Sequence, residues 1–140
     1  MNDLLSYRDL DVWKQSRLLV KNVYALSKKF PRDEQFGLTN QIRRAAVSIP
    51  SNIAEGCGRN HFKDSIQFFF ISRGSLYEVE TQLTVAHDLE FISEPELNII
   101  LEHVTRCKKL INGFINYYQS KSTNQQPTTV NEIIEAYGNQ

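Results

Sequence analysis

The sequence has few of the residue types and motifs that would identify a chemistry. Two cysteines, Cys57 and Cys107, stand fifty positions apart among 140 residues. That is too few and too far apart for a metal knuckle or a redox pair, and it does not make a disulfide scaffold. Both are expected as reduced thiols in a cytoplasm. No uninterrupted apolar run approaches the ~20 residues of a membrane span, and MNDLLSYRDLDVW has neither a cationic n-region nor a long apolar core, so the expectation is a soluble cytoplasmic protein with no membrane partner. There is no P-loop, no G-x-G-x-x-G, no G-x-S-x-G and no H-E-x-x-H. Glu-x-x-His, the signature of a dinuclear metal site in a helical bundle, is also missing. His61 with Asp64 and His87 with Glu90 are single pairs at helix ends, and His103 has no acidic and nucleophilic companions by spacing. No metal, cofactor or catalytic set is expected. The formal net charge is zero, so global charge makes no case for nucleic acid.

The distribution of charge is more informative than its sum. Arg8 to Lys63 holds 11 basic and 5 acidic residues, a balance of +6, whereas Asp64 to Thr105 holds 1 basic and 8 acidic, a balance of −7. The chain is electrically two-sided. Attraction between two helical hairpins, opposite charges meeting between subunits, and a basic ligand surface all fit that pattern.

Hydrophobic period supplies the elements. In a first helix, from about Asp9 to Lys29, Val12, Leu19, Val23, Leu26 and Phe30 share a narrow arc, while Lys14, Arg17, Lys21 and Lys28 gather near the opposite side at ~100° per residue. Four cations with no acid among them suit a phosphate backbone, although a solvated helix face is the commoner reason for such a pattern. Trp13 and Tyr24 fall between the two faces, placed to close a seam with another subunit or to cap the core.

A second helix, from Gln35 to Glu55, carries Leu38, Ile42, Ala45, Ile49 and Ile53 as one stripe. Asp33 and Glu34 stand at its start, and Gly56 and Gly58 suit a left-handed exit. Pro50 is expected to bend it near residues 46 to 50, with Ser48, Ser51 and Asn52 available to occupy freed backbone groups. Arg43 and Arg44 leave the stripe on opposite sides, suited to clamping phosphates or to bridging carboxylates of the acidic hairpin. Ala45, Ala46 and Ser48 permit close approach of another helix.

QIRRAAVSIPSNIAEGCGR, with FPRDEQFGL before it and SRGSLYEVETQL after it, resembles the four-helix bundle family named after proteins encoded in intervening sequences of bacterial 23S ribosomal RNA. The accessory variability determinant of diversity-generating retroelements is a structural relative of that family. The likeness runs over roughly residues 7 to 119. It implies a homopentameric, ring-like assembly of helical bundles, with RNA and a reverse transcriptase as ligands of the retroelement relatives.

A third helix is expected from His61 to Leu89, with Phe62, Ile66, Phe69, Phe70, Leu76, Tyr77 and Leu83 on a broad apolar face. Arg73 falls on the same arc, as does Glu80. A buried cation needs a partner, so Arg73 is expected to meet Glu80 or Glu55, or to cross a subunit boundary. Gly74 and Ser75 point to close contact between helices. Ser93 and Glu96 form the S-x-x-E of a capping box, with Pro95 harmless in the first turn. The fourth helix then carries Leu97, Leu101, Val104, Ile111, Phe114, Ile115 and Tyr118 to about Gln119, with Arg106, Lys108 and Lys109 on its polar side. Residues 120–140 are expected as a flexible tail; Val130, Ile133, Ile134 and Tyr137 have the spacing for one or two helical turns, too short to be stable alone, which either fray or dock on another surface.

The expectation is therefore an all-α, antiparallel up-down-up-down four-helix bundle over residues 1–119 that closes into a ring-like homo-oligomer. Its expected function is that of a non-enzymatic accessory protein binding structured RNA through Lys14, Arg17, Lys21, Lys28, Arg43, Arg44, Arg59 and Lys63. Trp13, Pro50, Arg73, Gly74 and Glu80 are expected in structural or interface roles. With no RNA-recognition motif, KH loop or stacking platform, it would read backbone shape more than bases. The alternative is a scaffold for a protein partner, without a nucleic-acid ligand.

Overall fold

A computed structural model describes residues 6–123. Four helices fill that span: α1 (Asp11–Ser27), α2 (Leu38–Cys57), α3 (Phe62–Asp88) and α4 (Glu94–Thr123), with 3-10 turns at Tyr7–Asp9 and Arg32–Glu34. No strand occurs among the described residues. The expected stripes are the core. Leu19 and Val23 of α1, Ile42, Ile49 and Ile53 of α2, Phe69, Leu76 and Val79 of α3, and Val104 and Tyr118 of α4 are all closed to solvent. α2 packs most closely on α3, α3 also on α4, and α1 on both α2 and α4. Leu10 and Val12 share a small cavity with Leu110 and Phe114 of late α4, whereas Lys29, just past α1, pairs with Glu96 in the first turn of α4.

Several boundaries differ from expectation for local reasons. α2 begins at Leu38 because Asp33 and Glu34 wind a separate 3-10 turn, although the Glu34 carboxylate still accepts the Leu38 N–H at 3.4 Å. α4 continues to Thr123, four residues past the expected end. Leu4, Leu5 and the terminal helix expected through Val130 to Tyr137 lie outside the described residues. α2 runs unbroken through Pro50. Around that proline, Asn52 donates to the Ser48 carbonyl and to its hydroxyl, both at 2.8 Å, and Ser72 of α3 donates to the Ile49 carbonyl at 2.8 Å. Ser75 donates to the Ser48 hydroxyl at 2.9 Å, so small residues join α2 to α3 by hydrogen bonds as well as by close approach.

The two glycines expected to turn the chain out of α2 do something else. Neither has positive φ. Gly56 is a buried residue inside the helix, and a Cβ there would lie 2.5 Å from Phe69 Cε1 and 2.9 Å from the Ser65 carbonyl oxygen. It is required for the α2–α3 crossing. The left-handed residue is Glu90, with φ 65°. It ends α3 in a Schellman arrangement, in which the Phe91 N–H reaches the Ala86 carbonyl at 2.8 Å and the Glu90 N–H reaches His87 at 2.9 Å. A side chain in that conformation costs about 1–2 kcal/mol. Glu90→Gly should therefore raise stability by about 1 kcal/mol, visible as a melting temperature higher by about 4 °C; an unchanged or lower midpoint would show that Glu90 makes a compensating contact.

The capping box at the start of α4 forms as expected. The Ser93 N–H donates to Glu96 Oε1 at 2.9 Å, and the Glu96 N–H donates to Ser93 Oγ at 3.2 Å. The Lys29 ammonium, with the Ser93 N–H, holds the Glu96 carboxyl down at about 2, against an ordinary value of 4.5. A depressed carboxyl pKa means stability that is present above pH 4.5 and lost as pH falls towards 2. Glu96→Gln keeps a capping partner but removes the charge, so its deficit in urea midpoint relative to wild type should be full at pH 6 and vanish near pH 2.

Candidate nucleic-acid interface

The outer face of α1 carries the basic set as expected. Lys14, Arg17, Lys21 and Lys28 are all exposed. Lys14, Arg17 and Lys21 line one open depression of about 400 Å³ with Gln15 and Leu18, and no acid borders it. Trp13 fixes one edge of this surface. Its indole is half-buried, with the Arg8 guanidinium 5.2 Å and the Arg17 guanidinium 5.4 Å from the ring, and Tyr7 meets it edge-on at 5.3 Å. Arg8 is held there by its own turn, since Ser6 Oγ accepts the Arg8 N–H at 3.1 Å and Asp9 accepts the Ser6 N–H at 3.0 Å. Arg8 is a basic residue of this face that the helical period had not singled out, because it precedes the helix.

The paired arginines of α2 do separate to two sides, but Arg43 meets no carboxylate among the described residues. Its Nε donates to Ser27 Oγ at 2.8 Å, a second nitrogen reaches the Tyr24 carbonyl at 3.5 Å, and the guanidinium lies 4.7 Å over the Tyr24 ring. The reason is proximity: Arg43 faces the last turn of α1, whose terminal carbonyls attract a cation. Arg44 is exposed and borders two depressions that share Asn40 and Ser48. One, of about 680 Å³, reaches Tyr24 and Arg43; the other, of about 490 Å³, lies between α2 and α3 and ends at Phe36. The first of these depressions thus joins Tyr24 and Arg43 to Arg44, and it shares no lining residue with the depression of Lys14, Arg17 and Lys21 on α1.

Arg59 and Lys63 stand beyond the C-terminal end of α2, away from Arg43 and Arg44. Arg59 pairs with Glu55 at 3.3 Å and covers the Phe68 ring at 4.5 Å; such an exposed pair contributes little. Lys63 is exposed.

The expectation that Arg73 meets Glu80 or Glu55 within this chain is corrected. Its guanidinium meets neither Glu80 nor Glu55 but donates to Asn112 Oδ1 at 3.1 Å and lies 5.1 Å from the Phe70 ring. Half-buried rather than buried, it is satisfied by a neutral amide and an aromatic face. Glu80 instead accepts from Lys108 of α4, so that part of the fourth helix's basic cluster complements the acids of α3. Gly74 is also corrected as a close-contact residue of this chain: a Cβ there would meet nothing within 4 Å. It leaves a shallow notch on the outer face of α3, beside the exposed Ile71 and Tyr77. Ser75 alone makes the close contact.

His103 is buried and bonded at both ring nitrogens. Nε2 meets Gln15 Oε1 and Nδ1 meets Asn22 Nδ2, each at 3.1 Å, which places the proton on Nε2. Burial, and then Arg106, hold it below the ordinary imidazole range. It is a satisfied core histidine that joins α1 to α4. Burial pushes the Cys57 and Cys107 thiols up to about 12, so neither is activated as a nucleophile. No group of three potential metal ligands occurs among the described residues, and no described helix is long and apolar enough to cross a membrane.

Comparison with known proteins bears on most of the chain. The family model for 23S rRNA-intervening sequence proteins matches residues 8–113. Among solved structures, a protein of unknown function from the S23 ribosomal protein family of Bacteroides thetaiotaomicron is similar at 25% identity and a TM-score of 0.69, over 74% of this chain and 97% of that one. No curated protein matches.

Proposed function

This chain belongs to the 23S rRNA-intervening sequence protein family, and from that premise we propose that it is a non-enzymatic accessory protein of the cytoplasm that binds structured RNA. In this reading the bundle is antiparallel, up-down-up-down, and closes into a ring-like homo-oligomer, a pentamer. The pairing of early α1 with late α4, and of late α1 with early α4, supports the antiparallel course.

The observation that carries the RNA reading is the acid-free depression of Lys14, Arg17 and Lys21, with Arg43 and Arg44 on a second depression that also has no acid in its lining. Flexible ammonium groups suit a phosphate backbone that is recognised by charge and spacing, and affinity then comes largely from counterion release. Support for self-association is separate. Ile71 and Tyr77 flank Gly74 on the outer face of α3, and Ile99 is 70% exposed on α4. These are apolar side chains that a second copy can cover. That same surface favours the other reading, a scaffold whose ligand is a protein.

A native mass spectrum of protein purified at low salt without nuclease tests both parts. The expected result is a pentamer carrying RNA mass that disappears at high salt. A clean pentamer shifts the function to the protein scaffold, and a clean monomer removes the assembly.

A further inference from the structure

We infer that the groove between α2 and α3 is a nucleobase site, which takes an unpaired base of the RNA bound on the neighbouring basic face. The inference rests on the proposed RNA reading and adds to it a preference for single-stranded or bulged nucleotides. Three observations point to that chemistry.

Phe36 is 88% exposed at the end of the groove. It belongs to no apolar stripe and precedes the Gly37 that caps α2, so an aromatic ring stands at a helix start with most of its surface open to a stacking partner. The groove itself, about 490 Å³, lies within the range of small-ligand sites. Its lining is mostly amides and hydroxyls, with Ala45 the one aliphatic side chain: Asn40 and Gln41 come from α2, Gln82 from α3, and Ser48 and Ser75 lie between the two helices. Amide side chains offer a donor and an acceptor in one plane, the pattern that pairs with base edges.

The charges fit the same occupant. Arg44 borders this groove and also the depression that continues to Arg43 and Tyr24. A phosphate on Arg44 therefore leaves its base beside the groove. Glu78, on the α3 wall, opposes a phosphate but accepts from an exocyclic amine or a ring N–H. Stacking on an aromatic ring with edges read by polar side chains is how proteins take unstacked bases from RNA loops. A helix of another protein would find one large apolar anchor here and a wall of polar groups that it must desolvate.

The test uses the full chain and two fluorescent RNA probes, a 12-nucleotide single strand of mixed sequence and a blunt-ended duplex of the same charge with no unpaired nucleotide, at one ionic strength. Wild type is expected to bind both. Phe36→Ala should weaken the single strand about tenfold, in line with the loss of one stacked base, and leave the duplex unchanged, while Phe36→Tyr restores binding. A 5-iodouridine in the single strand should crosslink within residues 36–44. Equal single-strand affinity of wild type and Phe36→Ala, with duplex binding intact, overturns the base site and leaves the basic-face reading standing. Failure of wild type to bind either probe at low salt overturns both. If Phe36→Ala instead changes the mass of the assembly with no effect on the single strand, the groove is a contact between copies and the inference is wrong.

Discussion

Gly56→Ala should lower the stability of the bundle by about 2 to 3 kcal/mol, a large share of the 5 to 15 kcal/mol typical of a domain. Alanine is the better helix former by about 1 kcal/mol, so propensity alone predicts the opposite sign. The clash decides. The new methyl would stand 2.5 Å from Phe69 Cε1 and 2.9 Å from a backbone oxygen of α3, and neither neighbour can give way cheaply. Phe69 is fully closed to solvent, with Phe114 at 4.9 Å and Tyr118 at 4.7 Å between ring centres. Moving it disturbs both rings, and moving Ser65 shifts α3 itself. Thermal melting should show a midpoint lower by about 10 °C. Phe69→Leu in the Gly56→Ala background should recover part of that loss, because the two positions share one contact. A midpoint at or above the wild-type value would mean that α2 and α3 separate at little cost.

Reversing Lys14, Arg17 and Lys21 together to glutamate is expected to weaken RNA binding about 100-fold at low salt and to reduce the slope of log K against log salt by about 2 to 3. All three side chains are exposed, so folding should change little; the exception is the Arg17 contact with Trp13. A melting curve run beside the binding curve separates the two effects. Unchanged RNA affinity in a folded triple variant removes this face from the function. Loss of assembly without loss of RNA affinity assigns the cations to contacts between subunits.

The fold was legible where the chain repeats itself. Stripes such as Ile42, Ile49 and Ile53 need only a period of 3.6 and a partner surface, and both are local properties of sequence. The capping box of Ser93 and Glu96 was legible for the same reason, its two bonds spanning three residues. What escaped depends on neighbours distant in the chain. Gly56 reads as a helix exit because its real constraint is Phe69, thirteen residues on and in another helix. Glu90 escaped from the other side, since nothing about a glutamate announces a left-handed backbone. Arg73 was sent to a carboxylate by charge, whereas contact offered it Asn112 and Phe70. The basic face of α1 was legible as a set, but Arg8 joins it only through the turn that precedes the helix. Phe36 carried one unused signal: a large aromatic off every apolar stripe and next to a glycine.

The chain has a single tryptophan, Trp13, and the structure places it between two guanidinium groups at the edge of the basic face. All indole emission from this protein therefore comes from one ring whose neighbours include two exposed guanidinium groups at the basic face. A phosphate that draws Arg17 off the ring alters the field around the excited state, and the spectrum moves without a label or an engineered probe. The molecule reports on its own occupancy from the one position where that report is unambiguous.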